Sequence, residues 1–273
     1  MPELPEVETV VRGLRDRIAG QRLSHLRIWQ PAIIEDDLRA FKRLANGCTV
    51  TAVRRRGKWI LMDLDNGHTI LAHLRMTGRF TVVEKGTPRQ KHDHLEWWLN
   101  GGAQRLRFND MRRFGRFRVV ETDEVEDYLA GLGWGPEPFD ITASAFSGRL
   151  GKSQRSIKAA LLDQGVVAGI GNIYADEILF AAGVDPRTPT ARVGLTRASR
   201  IHTAMQSILR QAIKARGTTM RNYVSVDGRS GGFRGLLQVF NREAEPCPIC
   251  ERPIRRIRLV GRSTHFCSRC QRR

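Results

Sequence analysis

The chain has 273 residues, 46 of them Lys or Arg against 28 Asp or Glu, which leaves a formal net charge of +18 and an isoelectric point near 10.9. A 41% hydrophobic and 27% charged composition excludes wholesale disorder. No apolar run approaches the roughly 18 residues of a membrane span, and Met1-Pro2-Glu3-Leu4-Pro5-Glu6 does not read as a secretory leader, so neither an integral membrane protein nor a secreted one is expected.

In chain order, Val7, Val10, Val11, Leu14 and Ile18 recur at helical spacing, and Gly20 marks the stop of that helix. Short alternating or β-branched runs follow at residues 23–29, 49–54, 59–65, 69–74, 79–84, 94–99, 104–108 and 115–120. Asp65-Asn66-Gly67 and Asn100-Gly101-Gly102 are hairpin turns between such runs. The first 120 or so residues therefore read as a β-sandwich or barrel with an amphipathic helix at its start, a domain bounded at residues 1–130 and expected, as a sandwich, to carry flanking helices. The Gly- and Pro-rich stretch from Gly131 to Pro138 opens a linker over residues 131–150. Helical patterns then appear at residues 156–164, 172–182 and 196–216, the last ended by Gly217, within a helical module spanning 151–235. The Gly-, Ser- and Arg-rich segment 217–235 reads as a loop.

Residues 236–273 carry the most specific spacing in the chain. Cys247, Cys250, Cys267 and Cys270 form a C-x2-C-x16-C-x2-C pattern, the signature of a four-thiolate zinc site. Four sulfur ligands close the coordination shell, so one structural zinc ion is expected rather than a catalytic one. A pair of disulfides is the lesser alternative in a chain with no export signal. Gly261 would turn a hairpin between residues 254–259 and 265–266, and eight Arg against one Glu in residues 251–273 make this finger a phosphate-facing cation. Cys48 stands apart and reads as a packed core thiol.

The N-terminus carries Glu3, Glu6 and Glu8 beside Pro2 and Pro5. Acids and proline are favoured at any helix start, which accounts for much of this run. It leaves unexplained why the run begins at residue 2. Removal of Met1 would expose a secondary amine with the pKa of an α-amino group, about 8, partly neutral and nucleophilic near pH 7. Attack on a sugar C1′ would form an iminium that acidifies the adjacent C–H, and neighbouring carboxylates could move the protons.

Six segments, in order, resemble the bacterial formamidopyrimidine-DNA glycosylase family: Pro2-Glu3-Leu4-Pro5-Glu6-Val7-Glu8-Thr9, His73-Leu74-Arg75-Met76-Thr77-Gly78, Lys91-His92-Asp93-His94, Asp110-Met111-Arg112-Arg113-Phe114-Gly115, Gly169-Ile170-Gly171-Asn172-Ile173-Tyr174-Ala175 and the four-Cys finger. The resemblance runs over essentially the whole chain. It implies an α+β multidomain protein with an N-terminal β-sandwich, a helix-two-turn-helix module and a zinc-finger hairpin. The activity implied is that of a bifunctional glycosylase and lyase, which excises 8-oxoguanine and formamidopyrimidines from double-stranded DNA and then nicks the abasic strand by β and δ elimination. By matching position Pro2 is the Schiff-base nucleophile, Glu3 the main general acid/base, Glu6 a supporting carboxylate and Lys58 a lysine near the damaged nucleotide. His73, His92, Lys158, Asn172 and Arg262 are implied in DNA contact, and Met76, Arg112 and Phe114 match the residues that fill the void left by an extruded nucleotide. Along a regular strand His73 and Met76 would face opposite ways, so the chain is expected to turn at Thr77-Gly78. Residues 217–233 match a loop that closes over the extruded base. Many relatives have proline where this chain has Met111, which leaves the approach to Arg112 less rigid.

Two other readings remain at this point. An endonuclease VIII-like enzyme for oxidised pyrimidines shares the finger and the Pro-Glu start, although Leu4 and the residue 112–114 triplet favour the purine enzyme. A noncatalytic zinc-dependent DNA-binding protein would account for the charge and the finger, but not for Glu3 beside an unblocked Pro2. The expected setting is the bacterial cytoplasm, as a monomer on DNA and not on a membrane.

Overall fold

The first helix forms where the apolar spacing places it. In the computed structural model, which describes residues 1–218 and 231–273, α1 (Leu4–Ile18) buries Leu4, Val7, Val10, Val11, Leu14 and Ile18 and packs on strands β2 (Cys48–Arg56) and β3 (Trp59–Leu64). Pro5 sits in the first turn, where its missing N–H costs no helix hydrogen bond. Arg15 and Arg17 lie in the last turn, where the helix dipole favours cations.

Six more strands complete one antiparallel sheet: β1 (Arg22–Ile28), β4 (His68–His73), β5 (Arg79–Glu84), β6 (Asp93–Leu99), β7 (Gln104–Asn109) and β8 (Arg116–Glu121), in the order β5-β7-β6-β1-β2-β3-β4-β8. All eight expected strands are present. β1 and β2 pair only at Arg22↔Thr49 and Leu23↔Cys48, and the sheet folds over at this short seam. Phe117 of β8 consequently meets Phe80 of β5, Phe108 of β7 and Trp97 of β6, ring to ring, although these strands lie far from β8 in the sheet order. The two halves thus close into a sandwich whose core residues are at most 9% exposed. Cys48 lies at the edge of this core, accepting from Asn66 Nδ2 at 3.1 Å, and burial pushes its thiol up.

The expected flanking helices of this domain include two short ones that no sequence pattern located. α2 (Leu38–Leu44) is capped by the Asp37 carboxylate, which accepts from the Arg39 and Ala40 N–H groups, and α3 (Val125–Gly131) packs on β8. At seven residues each, they offer too few turns for a periodic signal.

The chain divides into two compact units, residues 1–132 with the described parts of 216–232, and residues 133–215 with 233–273. The second unit holds α4 (Ala143–Leu150), α5 (Ile157–Leu162), α6 (Asn172–Ala181), α7 (Leu195–Lys214) and the hairpin β9 (Arg255–Leu259) and β10 (Arg262–Phe266). α4 lies inside the stretch expected as a linker. Thr142 caps it, and Phe146 and Leu150, four residues apart, bury against α7, a signal of only two apolar positions. The helical module and the finger also share one unit, since Phe180 of α6 belongs to the apolar cluster around Cys247 and Cys267. Val260 and Gly261, both at positive φ, make the two-residue turn of the finger hairpin.

Candidate active site and zinc centre

In the first unit the acids converge at the start of α1. Glu3 and Glu6 are 3% and 2% exposed, and Pro2 is buried beside them. Glu6 accepts from the Glu3 N–H at 2.8 Å, as a third-position helix carboxylate does, and also from the Thr218 N–H at 2.7 Å. Gly217 is needed for that approach. It takes φ +79°, and a Cβ there would lie 2.7 Å from Glu6 Oε1. Helix-start chemistry alone does not call for a backbone donor some 212 residues away. Met1 is present in the chain, so the Pro2 nitrogen lies in a peptide bond until Met1 is removed. Glu8 is occupied elsewhere. Burial pushes its carboxyl up, but the hydrogen bond from Arg12 and the charges of Arg55 and Arg12 outweigh that and hold it below the usual range.

Lys58 is buried at the head of β3, after Gly57 has turned the chain at φ +58°. Its neighbour Trp59 pairs across the sheet with His73, their rings edge to face at 4.9 Å. His73 Nδ1 accepts the Arg75 N–H at 3.0 Å. Burial first, then the charges of Arg75 and Lys58, push its imidazole down to about 3, so at neutral pH His73 is an uncharged ring.

The chain turns after His73 earlier than expected. β4 ends there, Arg75 adopts φ +52°, and the Gly78 N–H closes back on the Leu74 carbonyl at 3.0 Å, which leaves Met76 38% exposed. A matching turn with Arg113 at φ +57° presents Phe114, 43% exposed, with the Arg112 guanidinium 4.5 Å from its ring centre. The Arg112 N–H reaches Thr77 Oγ1 at 3.2 Å, so Met76, Arg112 and Phe114, which no periodicity links, are brought together. His92 is half-buried and accepts the Asp110 N–H at its carbonyl, 3.0 Å. Asp110 and Thr218 have no individual signal in the sequence, and Thr77 and Gly217 read there only as a turn and a helix stop; only a conserved spacing between distant loops could have singled out their contacts.

In the second unit the four cysteine sulfurs lie within 4.8 Å of one another, with Cys247 and Cys270 3.8 Å apart and Cys250 and Cys267 3.5 Å apart. Tetrahedral zinc with Zn–S bonds of about 2.3 Å sets its sulfurs roughly 3.8 Å apart, so the donor set fits the ion. Each pair closes a tight turn, the Glu251 N–H bonding to the Cys247 carbonyl and the Gln271 N–H to that of Cys267.

Lys158 corrects an expectation. It was placed on the DNA backbone, but its side chain is wholly buried and its ammonium bonds to Asp176 at 2.6 Å, the Ser263 carbonyl at 2.9 Å and Thr264 Oγ1 at 2.9 Å. Asn172 Nδ2 donates to that same Ser263 carbonyl at 3.0 Å. Lys158 and Asn172 thus tie helices α5 and α6 to the residue beside Arg262, which is exposed at the start of β10. The expected capping loop lies, over residues 219–230, outside the described residues.

Comparison with known proteins matches three families in order: the formamidopyrimidine-DNA glycosylase N-terminal domain over residues 1–117, the formamidopyrimidine-DNA glycosylase H2TH domain over 132–224, and a zinc finger found in FPG and IleRS over 244–273. A formamidopyrimidine-DNA glycosylase of Moorella thermoacetica is 46% identical over 94% of this chain and 95% of its own length, and one of Streptococcus mutans 41% identical over 99% of each. Among solved structures, a Lactococcus lactis FPG mutant in complex with Fapy-dG-containing DNA superposes with a TM-score of 0.94 at 35% identity, covering 100% of both chains. The Lactococcus lactis Fpg on DNA containing an abasic site gives 0.92 at 35% identity, covering 99% of this chain and 100% of that one. The four-Cys finger therefore holds one structural zinc ion. The chain belongs to the formamidopyrimidine-DNA glycosylase family.

Proposed function

We propose that Pro2, freed of Met1, is the nucleophile of this DNA-formamidopyrimidine glycosylase and abasic-site lyase, with Glu3 as the main acid/base, Glu6 as the carboxylate that supports it and Lys58 beside the damaged nucleotide. The enzyme acts in base excision repair on oxidised purines. The observation that carries the assignment of roles is the buried Pro2-Glu3-Glu6 cluster, with Glu6 fixed by backbone N–H groups from both Glu3 and Thr218.

The chemistry follows from those groups. The neutral amine forms a bond to C1′ as the base leaves with the glycosidic electron pair, and the leaving base takes a proton. The amine then sheds its proton and its lone pair forms the C=N bond as C1′–O4′ breaks, O4′ taking a proton; the resulting iminium withdraws electrons from C2′, a carboxylate removes a proton there, and the 3′ phosphate departs. A second elimination releases the 5′ phosphate. Backbone donors from Glu3 and Thr218 fix the Glu6 carboxylate close to Pro2, where the iminium develops. Met76, Arg112 and Phe114 occupy the vacated stack, a flexible thioether, a guanidinium for the orphaned base and a planar wedge. His73 and His92 in the first unit, and Asn172 and Arg262 in the second, approach the phosphate backbone, with Lys158 acting through Ser263. The protein works as a monomer on duplex DNA in the bacterial cytoplasm, and the +18 net charge supports strongly salt-dependent binding.

Borohydride reduction on an 8-oxoguanine:cytosine duplex tests this reading. A covalent adduct is expected from the Met1-processed enzyme and a much weaker one from Pro2→Gly. No adduct with the wild type at low salt overturns it. Stronger trapping on a thymine-glycol duplex than on the 8-oxoguanine one would move the substrate to oxidised pyrimidines.

A further inference from the structure

Two exposed loops carry Met76 and the Arg112-Phe114 pair, and one buried carboxylate joins them. Asp110 is 0% exposed. Its Oδ1 accepts from the Thr77 hydroxyl in a short hydrogen bond and from the Arg112 N–H at 3.1 Å, and its Oδ2 accepts from the Gly115 N–H at 2.7 Å. Three donors, from both ends of one loop and the middle of the other, thus converge on a single side chain. The backbone of Asp110 is itself anchored, its N–H on the His92 carbonyl at 3.0 Å and its carbonyl beside His94 Nε2 at 2.7 Å.

Packing adds a second tie. The Phe108 ring lies directly beneath both loops at the two places where the chain has glycine. A Cβ at Gly78 would sit 2.8 Å from that ring, and one at Gly115 would overlap it. Each loop also holds a non-glycine residue at positive φ, Arg75 and Arg113, immediately before its exposed tip. Such backbone persists only where surrounding bonds overdetermine it, and the Asp110 carboxylate adds its three to those that the His73 ring and the Leu74 carbonyl supply.

We propose that Asp110, through Thr77, is a positioning residue that holds the Met76 loop and the 112–114 loop as a single preformed wedge for the base stack. The inference rests on the reading of Met76, Arg112 and Phe114 as void-filling residues. A wedge already rigid spares the enzyme the ordering of two loops while the target nucleotide leaves the helix. It matters for an intact, stacked lesion. It does not matter for a single-stranded abasic site, which has no stack to enter.

Thr77→Val keeps the shape of the half-buried side chain and deletes the donor, whereas Thr77→Ser keeps the donor. Single-turnover excision of 8-oxoguanine from a duplex is compared with cleavage of a single-stranded abasic oligonucleotide. Thr77→Val is expected to slow the first about tenfold, the scale of one lost hydrogen bond to a charged acceptor, and to leave the second within twofold, with Thr77→Ser restoring the duplex rate. Asp110→Asn, which sets an amide N–H against one of the three donors, is expected to act in the same direction more strongly. Equal slowing of both substrates by Thr77→Val, or no slowing of either, overturns the inference. Phe114→Ala and Met76→Ala separate it from its premise. If they slow duplex excision and Thr77→Val does not, only the positioning role falls; if they leave duplex excision unchanged, the wedge reading falls with it.

Discussion

Asp110 in the first unit and Asp176 in the second are both buried carboxylates that join segments far apart in sequence, but they do so with different partners. Asp110 gathers neutral donors, a hydroxyl and two backbone N–H groups. Asp176 takes the Lys158 ammonium on one oxygen and, on the other, the His265 N–H at 2.9 Å and the His265 ring at 3.3 Å. The neutral hub joins two loops that must present side chains outward, and its carboxylate serves as a fixed acceptor. The ionic hub joins α6 to the zinc hairpin, where the metal and a buried cation supplement the small apolar cluster of Phe180, Val239 and Ile254 around the cysteines. Directional neutral bonds set geometry, while a desolvated ion pair makes the unit intolerant of losing either partner.

Removing the zinc should have the largest effect on the ionic side of this contrast. Chelation deletes on the order of 10 kcal/mol of metal-linked folding free energy from the finger. We expect four titratable thiols to appear with metal release, and anisotropy of a labelled duplex to show binding lost. Apo-protein that binds and cleaves normally would contradict a structural role for the ion.

Lys158→Met comes next. It leaves Asp176 buried without its cation, which costs about 3–5 kcal/mol, whereas replacing both members by apolar residues should recover much of that loss. Urea unfolding of the second unit's signal measures both, and a single variant as stable as the double one would show that the pair is not the tie it looks like here.

A smaller, pH-dependent effect belongs to the first unit. Burial and the charges of Arg75 and Lys58 hold His73 down to about 3, against 6.5 for an exposed histidine. The unfolded chain therefore takes up a proton below 6.5 that the folded one refuses until about 3. Stability from this group is intact above pH 6.5 and declines as the pH falls from 6.5 toward 3, by about 2 kcal/mol at pH 5. His73→Gln, which can still accept the Arg75 N–H, should lose about 2 kcal/mol less than the wild type between pH 7 and pH 5 in matched denaturation curves. Equal losses would mean that His73 is protonated in the folded state.

Much of this molecule is determined by local pattern. The α1 face, the eight strands, the hairpin at Gly261 and the zinc-binding spacing of Cys247, Cys250, Cys267 and Cys270 all follow from periodicity, turn residues and ligand separation, because each concerns residues that lie close along the chain. The short helices α2, α3 and α4 lay below that threshold. What tertiary structure alone decided are the convergences: Thr218 on Glu6, Thr77 and Arg112 on Asp110, and Lys158 in a buried pair with Asp176 rather than at the surface. A residue type states what a side chain can bond to. Which partner it meets across dozens of residues is settled only when the sheet folds over and the helices pack, since burial turns an available donor into an obligatory one.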